Sequence, residues 1–227
     1  MLDYTCILLA AGEGQRAALG YNKVLYKIHG KKEIVLYSIE YFMTDPYCKR
    51  VVLVVNKRDE NYFKQIIKSL KSDKLVYVLG GATRGDSVHS GLSLVETKYV
   101  IIHDSARPLI YKEDVYNLLN PVEETGGASL ATKVYNTTCH LENGFVDEYF
   151  SRHTLASLIT PQCFDREKLE EAYQKAKLDN DSQFTDDSGI FKHYGGQVKL
   201  VFTDNISVKA TTSYDIKLLE VLLYANR

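Results

Sequence analysis

The chain has no marked excess of charge of either sign. Its 227 residues contain 28 Lys and Arg against 29 Asp and Glu, which leaves a formal net charge of −1. Such a balance produces no chain-wide field that would recruit nucleic acid or an anionic membrane. We therefore expect neither as a partner, and an anionic ligand must be held by a local site.

Cysteine is scarce and scattered, since the four cysteines contain no C-x-x-C pair. This spacing argues against a zinc cluster and against a disulfide framework. No apolar run approaches the roughly 18 residues that span a bilayer, and the apolar N-terminus lacks the basic start of a secretory signal. These features favour a reducing, cytoplasmic setting.

The chain also lacks internal repeats, low-complexity tracts and a linker rich in Pro or Gly. Its 45% apolar and 25% charged residues are typical of globular proteins. The length is compatible with one large domain. We therefore expect a single domain over residues 1–227.

Short β-branched apolar runs alternate with amphipathic segments up to Val134. The runs predict strands at 5–9, 51–55, 75–79, 99–102 and 128–131. Apolar residues at three- and four-residue spacing predict helices at 33–43, 60–70, 87–95 and 113–119. Alternation of this kind predicts an α/β fold, with a mostly parallel, Rossmann-like sheet flanked by helices.

The alternation changes after Val134. Residues 135–160 show short polar and apolar alternation around the turn Glu142-Asn143-Gly144, which predicts a protruding β-hairpin arm. Apolar residues on this hairpin would be difficult for a monomer to cover, so we expect a homodimer formed through the arm. Beyond it, the patterns predict helices at 166–176, 187–194 and 214–224 and a strand at 198–202.

A glycine-rich loop follows the first predicted strand. Gly12 and Gly14 permit a tight turn whose N–H groups can surround phosphate oxygens. The pattern also fits a dinucleotide fingerprint, but the second strand ends in Asn56 rather than an acid. Arg16 and Lys23, in and just beyond the loop, suit a triphosphate better than a pyrophosphate diester.

Polar motifs also follow the third and fourth predicted strands, where ligands bind in open α/β sheets. Asp104 stands directly after a buried strand and is placed to hold Mg²⁺ through one carboxylate. The alternative is a helix N-cap near Pro108. Arg107 suits a loop anchor as well as a substrate contact. Thr185-Asp186-Asp187 is interpreted as a helix N-cap, and Thr160-Pro161-Gln162 alone is compatible with an edge-strand turn.

Seven motifs in register resemble those of the polyol-phosphate cytidylyltransferases. This family includes the methylerythritol phosphate enzymes of isoprenoid synthesis and the ribitol-5-phosphate enzymes of wall and capsule polymers. The motifs are Ala10-Ala11-Gly12-x-Gly14-x-Arg16, Lys23, Gly80-Gly81-x-x-Arg84-x-x-Ser87-Val88, His103-Asp104-x-Ala106-Arg107-Pro108, Thr160-Pro161-Gln162-x-Phe164, Thr185-Asp186-Asp187, and Lys209-x-Thr211 followed by Asp215.

The resemblance implies a nucleotidyltransferase fold and transfer of CMP from CTP to a polyol phosphate, first of all 2-C-methyl-D-erythritol 4-phosphate, with release of pyrophosphate. It implies Arg16, Lys23 and Lys209 as catalytic residues and Mg²⁺ on Asp104. The nucleotide-binding residues that it implies are Ala10, Ala11, Gly12, Gly14, Gly81, Ala82, Ser87 and Ser105. The polyol phosphate would meet Thr137, Arg152, Lys209 and Arg107. In the family the arm crosses to a second subunit, so Thr137 and Arg152 would serve the neighbour's site.

Three positions depart from the family pattern. Asn22 replaces the usual Pro before the loop lysine, which leaves the backbone entering Lys23 less fixed. Asn136 replaces Asp, and Ser207 replaces Asn. These departures bear on the acceptor more than on the chemistry.

Three alternatives remain open. The first is a ribitol-5-phosphate cytidylyltransferase. The second is a sugar-1-phosphate nucleotidyltransferase, although these commonly run longer and lack the arm. The third is a catalytically silent nucleotide-binding protein, against which the retention of Arg16, Lys23, Asp104 and Lys209 argues.

Overall fold

The computed structural model describes residues 1–12, 20–179 and 184–225. The strands in chain order are β1 (Tyr4–Leu9), β2 (Lys27–Ile28), β3 (Lys32–Glu33), β4 (Cys48–Val55), β5 (Leu75–Leu79), β6 (Tyr99–Asp104), β7 (Gly126–Lys133), β8 (Thr138–Glu142), β9 (Phe145–Phe150), β10 (Ala156–Asp165) and β11 (Gln197–Phe202). The helices are α1 (Ile34–Thr44), α2 (Glu60–Leu70), α3 (Arg84–Leu92), α4 (Lys112–Thr125), α5 (Arg166–Leu178), α6 (Asp187–His193) and α7 (Ser213–Ala225). Short 3₁₀ turns cover Lys23–Leu25 and Arg152–Thr154.

A seven-stranded sheet in the order β11-β7-β10-β6-β1-β4-β5 organises these elements. β1 pairs in parallel with β4 and β6, β4 with β5, and β7 with β11. β10 is antiparallel to both of its neighbours, β6 and β7. The prediction of a mostly parallel α/β fold flanked by helices is confirmed.

The core strands are apolar on both faces because helices cover both. On β1, Cys6 and Leu8 join a cluster with α1 and α4, whereas Ile7 joins a cluster with α3 and α5. The five residues of β4 from Val51 onward divide in the same alternating way and are fully buried. Burial of each such side chain contributes about 1.5–3 kcal/mol. The continuous apolar runs in the sequence therefore follow from a two-sided core.

One boundary in the predicted arm is wrong. The expected arm runs to Thr160, but β10 begins at Ala156 and lies inside the main sheet. Thr160-Pro161-Gln162 is therefore not an edge-strand turn. The pairing of β10 with β7 is irregular between Ile159 and Gln162, and a proline, which has no N–H for the ladder, is tolerated at such an irregularity.

The hairpin itself is formed by β8 and β9, which pair with each other as a separate two-stranded sheet. Every residue of β9 is exposed, and Phe145 and Tyr149 keep 78% and 68% of their surface accessible. A two-stranded hairpin of this kind has little core of its own. Its apolar side chains are therefore available to a partner.

Within the described ranges, no helix combines the length and the apolar character that crossing a membrane requires.

Candidate active site

A cleft of about 760 Å³ lies where β1, β4, β5 and β6 reach their carboxyl ends. Parallel strands present their following loops along the same edge of the sheet. The cleft is lined by nine of the residues expected from the sequence, namely Ala10, Ala11, Gly12, Lys23, Gly81, Ala82, Ser87, Asp104 and Lys209. The expected residues Gly14 and Arg16 lie outside the described part of the chain.

Two glycines allow the loop after β5 to approach the end of β1. A Cβ atom on Gly80 would lie 2.7 Å from the Ser87 hydroxyl and 2.9 Å from the Ala11 Cβ. A Cβ atom on Gly81 would lie 2.3 Å from the Asp86 Cβ. Side chains here would force apart the loop, α3 and the strand end, so glycine keeps this wall of the cleft close to Ala11.

Asp104 is the charged centre of the cleft. One carboxylate oxygen lies 2.6 Å from the Lys209 Nζ, and the other lies 3.7 Å from the Arg84 guanidinium. Burial raises the pKa of Asp104, but the charges of Lys209 and Arg84 and the hydrogen bond from Lys209 outweigh it and lower the pKa to about 2. The carboxylate is therefore ionised at neutral pH.

Lys209 is held in the cleft by its neighbours in the chain. The Ala210 N–H donates to the Ala106 carbonyl at 2.8 Å, which ties this segment to the loop after β6. The Asp215 carboxylate accepts from the backbone N–H groups of Thr211 and Thr212 at 3.0 and 2.7 Å. The motif that joins Lys209, Thr211 and Asp215 is thus one hydrogen-bonded turn that presents the lysine.

Arg84 was not among the expected site residues, although it belongs to a quoted motif and lines the cleft. Its guanidinium donates to the Asp187 carboxylate at 2.7 Å, and the Tyr173 hydroxyl donates to the other oxygen at 2.5 Å. Burial lowers the pKa of Arg84, but the charge of Asp187 outweighs it and raises the pKa. Asp187 thus anchors a cation that faces the cleft.

The capping interpretation of Thr185-Asp186-Asp187 holds for one of its two acids. Asp186 is the N-cap of α6 and accepts from the Gly189 N–H at 3.0 Å. Asp187 instead is fully buried and pairs with Arg84, 103 residues away in the sequence. A pairing over that separation leaves no local signal in the sequence.

We expect Asp187→Ala to lower the free energy of unfolding by on the order of 3 kcal/mol, because it removes the closer partner of the Arg84 charge and the acceptor of the Tyr173 hydroxyl. Urea unfolding at neutral pH measures this. The control is Glu96→Ala, which removes an exposed ion pair with Arg50 and should cost less than about 1 kcal/mol. Equal losses in the two variants would contradict the anchoring role of Asp187.

Two side chains of β10 form hydrogen bonds with the segments that carry the charged residues of the cleft. The Asp104 N–H donates to the Thr160 hydroxyl at 3.1 Å. The buried Gln162 amide donates to Ser129 at 3.0 Å and to the Asp186 carboxylate at 2.8 Å, and its carbonyl oxygen accepts from the Ser188 N–H. Thr160 and Gln162 therefore connect the Asp104 loop with the α6 cap.

Two expected ligand contacts lie outside the cleft. Ser105 is fully buried in the turn after β6, and its N–H donates to the Leu9 carbonyl at 3.2 Å. Arg107 donates to the Ser207 hydroxyl at 3.2 Å, and its backbone carbonyl contacts His103 and Ser38. In this conformation Arg107 anchors its loop through hydrogen bonds.

The expected polyol-phosphate residues of the arm do not line the cleft of their own chain. Thr137 and Arg152 are exposed, and Arg152 donates to the Tyr135 carbonyl at 3.2 Å. Thr137 and Arg152 are therefore not part of the cleft lining in this chain.

The surroundings of Asp104 are compatible with a Mg²⁺ site that is completed by the phosphates of a substrate. No group of three His, Cys, Asp or Glu side chains is placed to cage a metal in the part of the chain that the structure describes. Magnesium in phosphate-transfer sites is commonly held by one or two carboxylates together with substrate phosphates and water. One ionised carboxylate that faces the cleft fits that requirement.

An open α/β sheet whose cleft is lined by glycines and Lys23, with Lys209 and Arg84 next to the Asp104 carboxylate, defines a nucleotidyltransferase-like protein. The family model for 2-C-methyl-D-erythritol 4-phosphate cytidylyltransferase matches residues 4–225. The chain belongs to this family.

Relatives and solved structures agree with the family match. The chain is 33% identical over 228 residues to 2-C-methyl-D-erythritol 4-phosphate cytidylyltransferase of Bacillus mycoides, with 99% of each chain covered. The corresponding protein of Geobacillus kaustophilus is 33% identical over 224 residues, which cover 98% of this chain and 97% of the relative. The crystal structure of 4-diphosphocytidyl-2C-methyl-D-erythritol synthase from Anaerococcus prevotii superposes with a TM-score of 0.85 at 26% identity and covers 98% and 96% of the two chains.

Proposed function

We propose that this chain transfers CMP from CTP to 2-C-methyl-D-erythritol 4-phosphate and releases pyrophosphate, as a step of isoprenoid synthesis. The observation that carries the proposal is the Asp104 cluster with Lys209 and Arg84 in the cleft of a chain that matches the family over residues 4–225. The family relationship supports the substrates, and the cluster supports retained catalysis over silent nucleotide binding.

The acceptor in this reaction is already an anionic phosphate at neutral pH, so no general base is needed. A phosphate oxygen of the acceptor forms a bond to the α-phosphorus of CTP, and the bond from that phosphorus to the bridging oxygen breaks. Pyrophosphate leaves with the electron pair. Catalysis then consists of positioning and electrostatic stabilisation. Lys23 and Lys209 approach the cleft from different loops and offset the repulsion between the two anions, with Arg16 as a further predicted cation.

Asp104 would hold Mg²⁺ together with the phosphates of CTP. When bound, the ion would neutralise charge on the phosphates and on the leaving pyrophosphate. Lys209, which donates to Asp104 at 2.6 Å, would counter the charge of the acceptor phosphate. The hydrogen bond from the Asp104 N–H to the Thr160 hydroxyl holds the loop that carries Asp104.

We further propose a homodimer in which each arm completes the partner's site. The exposed apolar side chains of β9 and the exposed Thr137 and Arg152 support this arrangement. We also propose that residues 1–227 form a single domain and that the protein is cytoplasmic. The first rests on the one sheet shared by both core clusters, and the second on the scattered cysteines.

Substrate choice tests the proposal. We expect pyrophosphate release to be fastest with CTP and 2-C-methyl-D-erythritol 4-phosphate, and at least about tenfold slower with UTP, ATP or GTP, because backbone donors and acceptors left unpaired by a wrong base are costly. A coupled pyrophosphate assay with each nucleotide, and with ribitol 5-phosphate as the competing acceptor, measures this. Faster turnover of ribitol 5-phosphate than of 2-C-methyl-D-erythritol 4-phosphate would identify the chain as a ribitol-5-phosphate cytidylyltransferase. Equal turnover of UTP and CTP would contradict the cytidylyltransferase assignment.

A further inference from the structure

Asn22 stands where the family usually has a proline, and the sequence alone predicts a less fixed backbone there. In the structure the Asn22 side chain is fully buried and hydrogen-bonded through both its nitrogen and its oxygen. Its amide nitrogen donates to the Ala10 carbonyl at 2.8 Å and to the Asp59 carboxylate at 2.9 Å. Its amide oxygen accepts from the Val24 N–H and caps the 3₁₀ turn Lys23–Leu25. The expectation that Asn22 leaves the backbone entering Lys23 less fixed is therefore wrong, because side-chain bonds replace the constraint of a proline ring.

A second amide makes the matching contacts on the other side of Asp59. The Asn56 amide nitrogen donates to the same Asp59 oxygen at 2.9 Å and to the Ala11 carbonyl at 3.4 Å. The Asn56 amide oxygen accepts from the Asp59 N–H at 2.8 Å. One carboxylate oxygen thus joins two amides that hold consecutive carbonyls at the end of β1.

These contacts determine which way two peptide N–H groups point. In a planar trans peptide the carbonyl and the following N–H point in opposite directions. When Asn22 and Asn56 hold the carbonyls of Ala10 and Ala11, the N–H groups of Ala11 and Gly12 face away from the asparagines. Ala11 and Gly12 line the cleft, as Asn22 and Asn56 also do, and N–H groups held in a fixed direction at this point suit an anionic or polar group of a nucleotide.

We propose that Asn22, Asn56 and Asp59 form a positioning cluster that orients the Ala11 and Gly12 N–H groups and the Lys23 turn for nucleotide binding. The proposal rests on the proposed function for the identity of CTP as ligand. The three residues have different contacts. Asn56 binds the Ala11 carbonyl at the end of β1, whereas Asn22 binds the Ala10 carbonyl and also caps the Lys23 turn. Asp59 accepts a hydrogen bond from each of the two asparagine amides.

This division makes a prediction about separate kinetic constants. We expect Asn56→Ala to raise the KM for CTP about tenfold with little change in kcat, because only the donors of the strand end are misaligned. Asn22→Asp has nearly the same shape but lacks both N–H donors and faces Asp59 with a like charge. It should raise the KM for CTP and also lower kcat about tenfold or more, because Lys23 is displaced as well. The KM for the acceptor should stay within about twofold of wild type in both variants.

Asp59 provides a test that a merely structural role would not pass. Asp59→Ala should weaken CTP binding about tenfold, whereas in Asp59→Asn the amide oxygen can accept from both asparagines and should restore most of the affinity. Lys74→Leu is the matched control. Lys74 donates to the carbonyls of Met43 and Asp45 at the amino ends of β4 and β5, whereas the cleft lies at their carboxyl ends. It should lower the melting temperature without changing CTP affinity.

CTP affinity, measured by calorimetry on the full chain with MgCl₂ and without acceptor, separates this inference from the proposed function. Weaker CTP binding in Asn22→Asp and Asp59→Ala would support the positioning cluster. Absence of turnover with every acceptor would overturn the proposed function but not the cluster. Wild-type affinity in both variants would overturn the cluster whatever the acceptor assay shows. Loss of affinity in the Lys74→Leu control of the same size would also overturn it, since the effect would then be one of stability.

Discussion

Replacing Asp104 by alanine is expected to lower the rate of pyrophosphate release roughly 10²- to 10³-fold. The variant loses the proposed ligand for Mg²⁺ and the carboxylate that orients Lys209 at 2.6 Å. The fold should persist, because Arg84 keeps its shorter ion pair with Asp187 and the partly exposed Lys209 can turn to solvent. Steady-state rates with CTP and 2-C-methyl-D-erythritol 4-phosphate, together with circular dichroism and melting temperature, measure both effects.

Asp45→Ala is the control for this experiment. Asp45 is a buried carboxylate that accepts from the Tyr4 hydroxyl at 2.9 Å and does not line the cleft. Its removal should cost stability while kcat/KM stays close to wild type. A folded Asp104→Ala protein with near-normal activity would return Asp104 to the role of a loop residue.

Mixing two inactive variants is expected to restore activity. We expect Arg152→Ala and Lys209→Ala to be nearly inactive alone, because each removes a cation from the acceptor phosphate. In a heterodimer whose arms are exchanged, one site receives Lys209 from one chain and Arg152 from the other, both unaltered. With random mixing, half of the dimers have one intact site of two, so about a quarter of the wild-type activity should return.

The complementation assay mixes the two purified variants after subunit exchange, with heterodimers counted by differently tagged chains. The double variant Arg152→Ala/Lys209→Ala, mixed with either single variant, is the control and should stay inactive, since no site then combines both residues. Heterodimers that form but remain inactive would show that Arg152 and Lys209 act within one chain, or that the arm does not reach the partner's cleft.

The hydrophobic pattern predicts the helices α1 to α7 and most of the strands in order, but it does not predict β2, β3 or β10. Buried strands such as β1 and β4 are apolar on both faces because helices cover both, and that composition is visible as a continuous run. Because the loops that follow parallel strands meet at one edge of the sheet, the motifs after β1, β5 and β6 are expected to lie together. The family resemblance added Lys209, and nine of the expected residues line the same cavity.

Which polar side chains meet depends on the folded chain. The Arg84–Asp187 ion pair, the placement of Thr160 and Gln162 behind Asp104, and the contact of Asn22 with Asp59 each join residues far apart in the chain. The strength of a hydrogen bond or ion pair changes when the distance between its two atoms changes by a few tenths of an ångström. Sequence periodicity reports only which face of an element is buried. For this reason the sequence pattern indicates a cap at Asp187 and a less fixed backbone at Asn22, whereas the folded chain pairs Asp187 with Arg84 and Asn22 with Asp59.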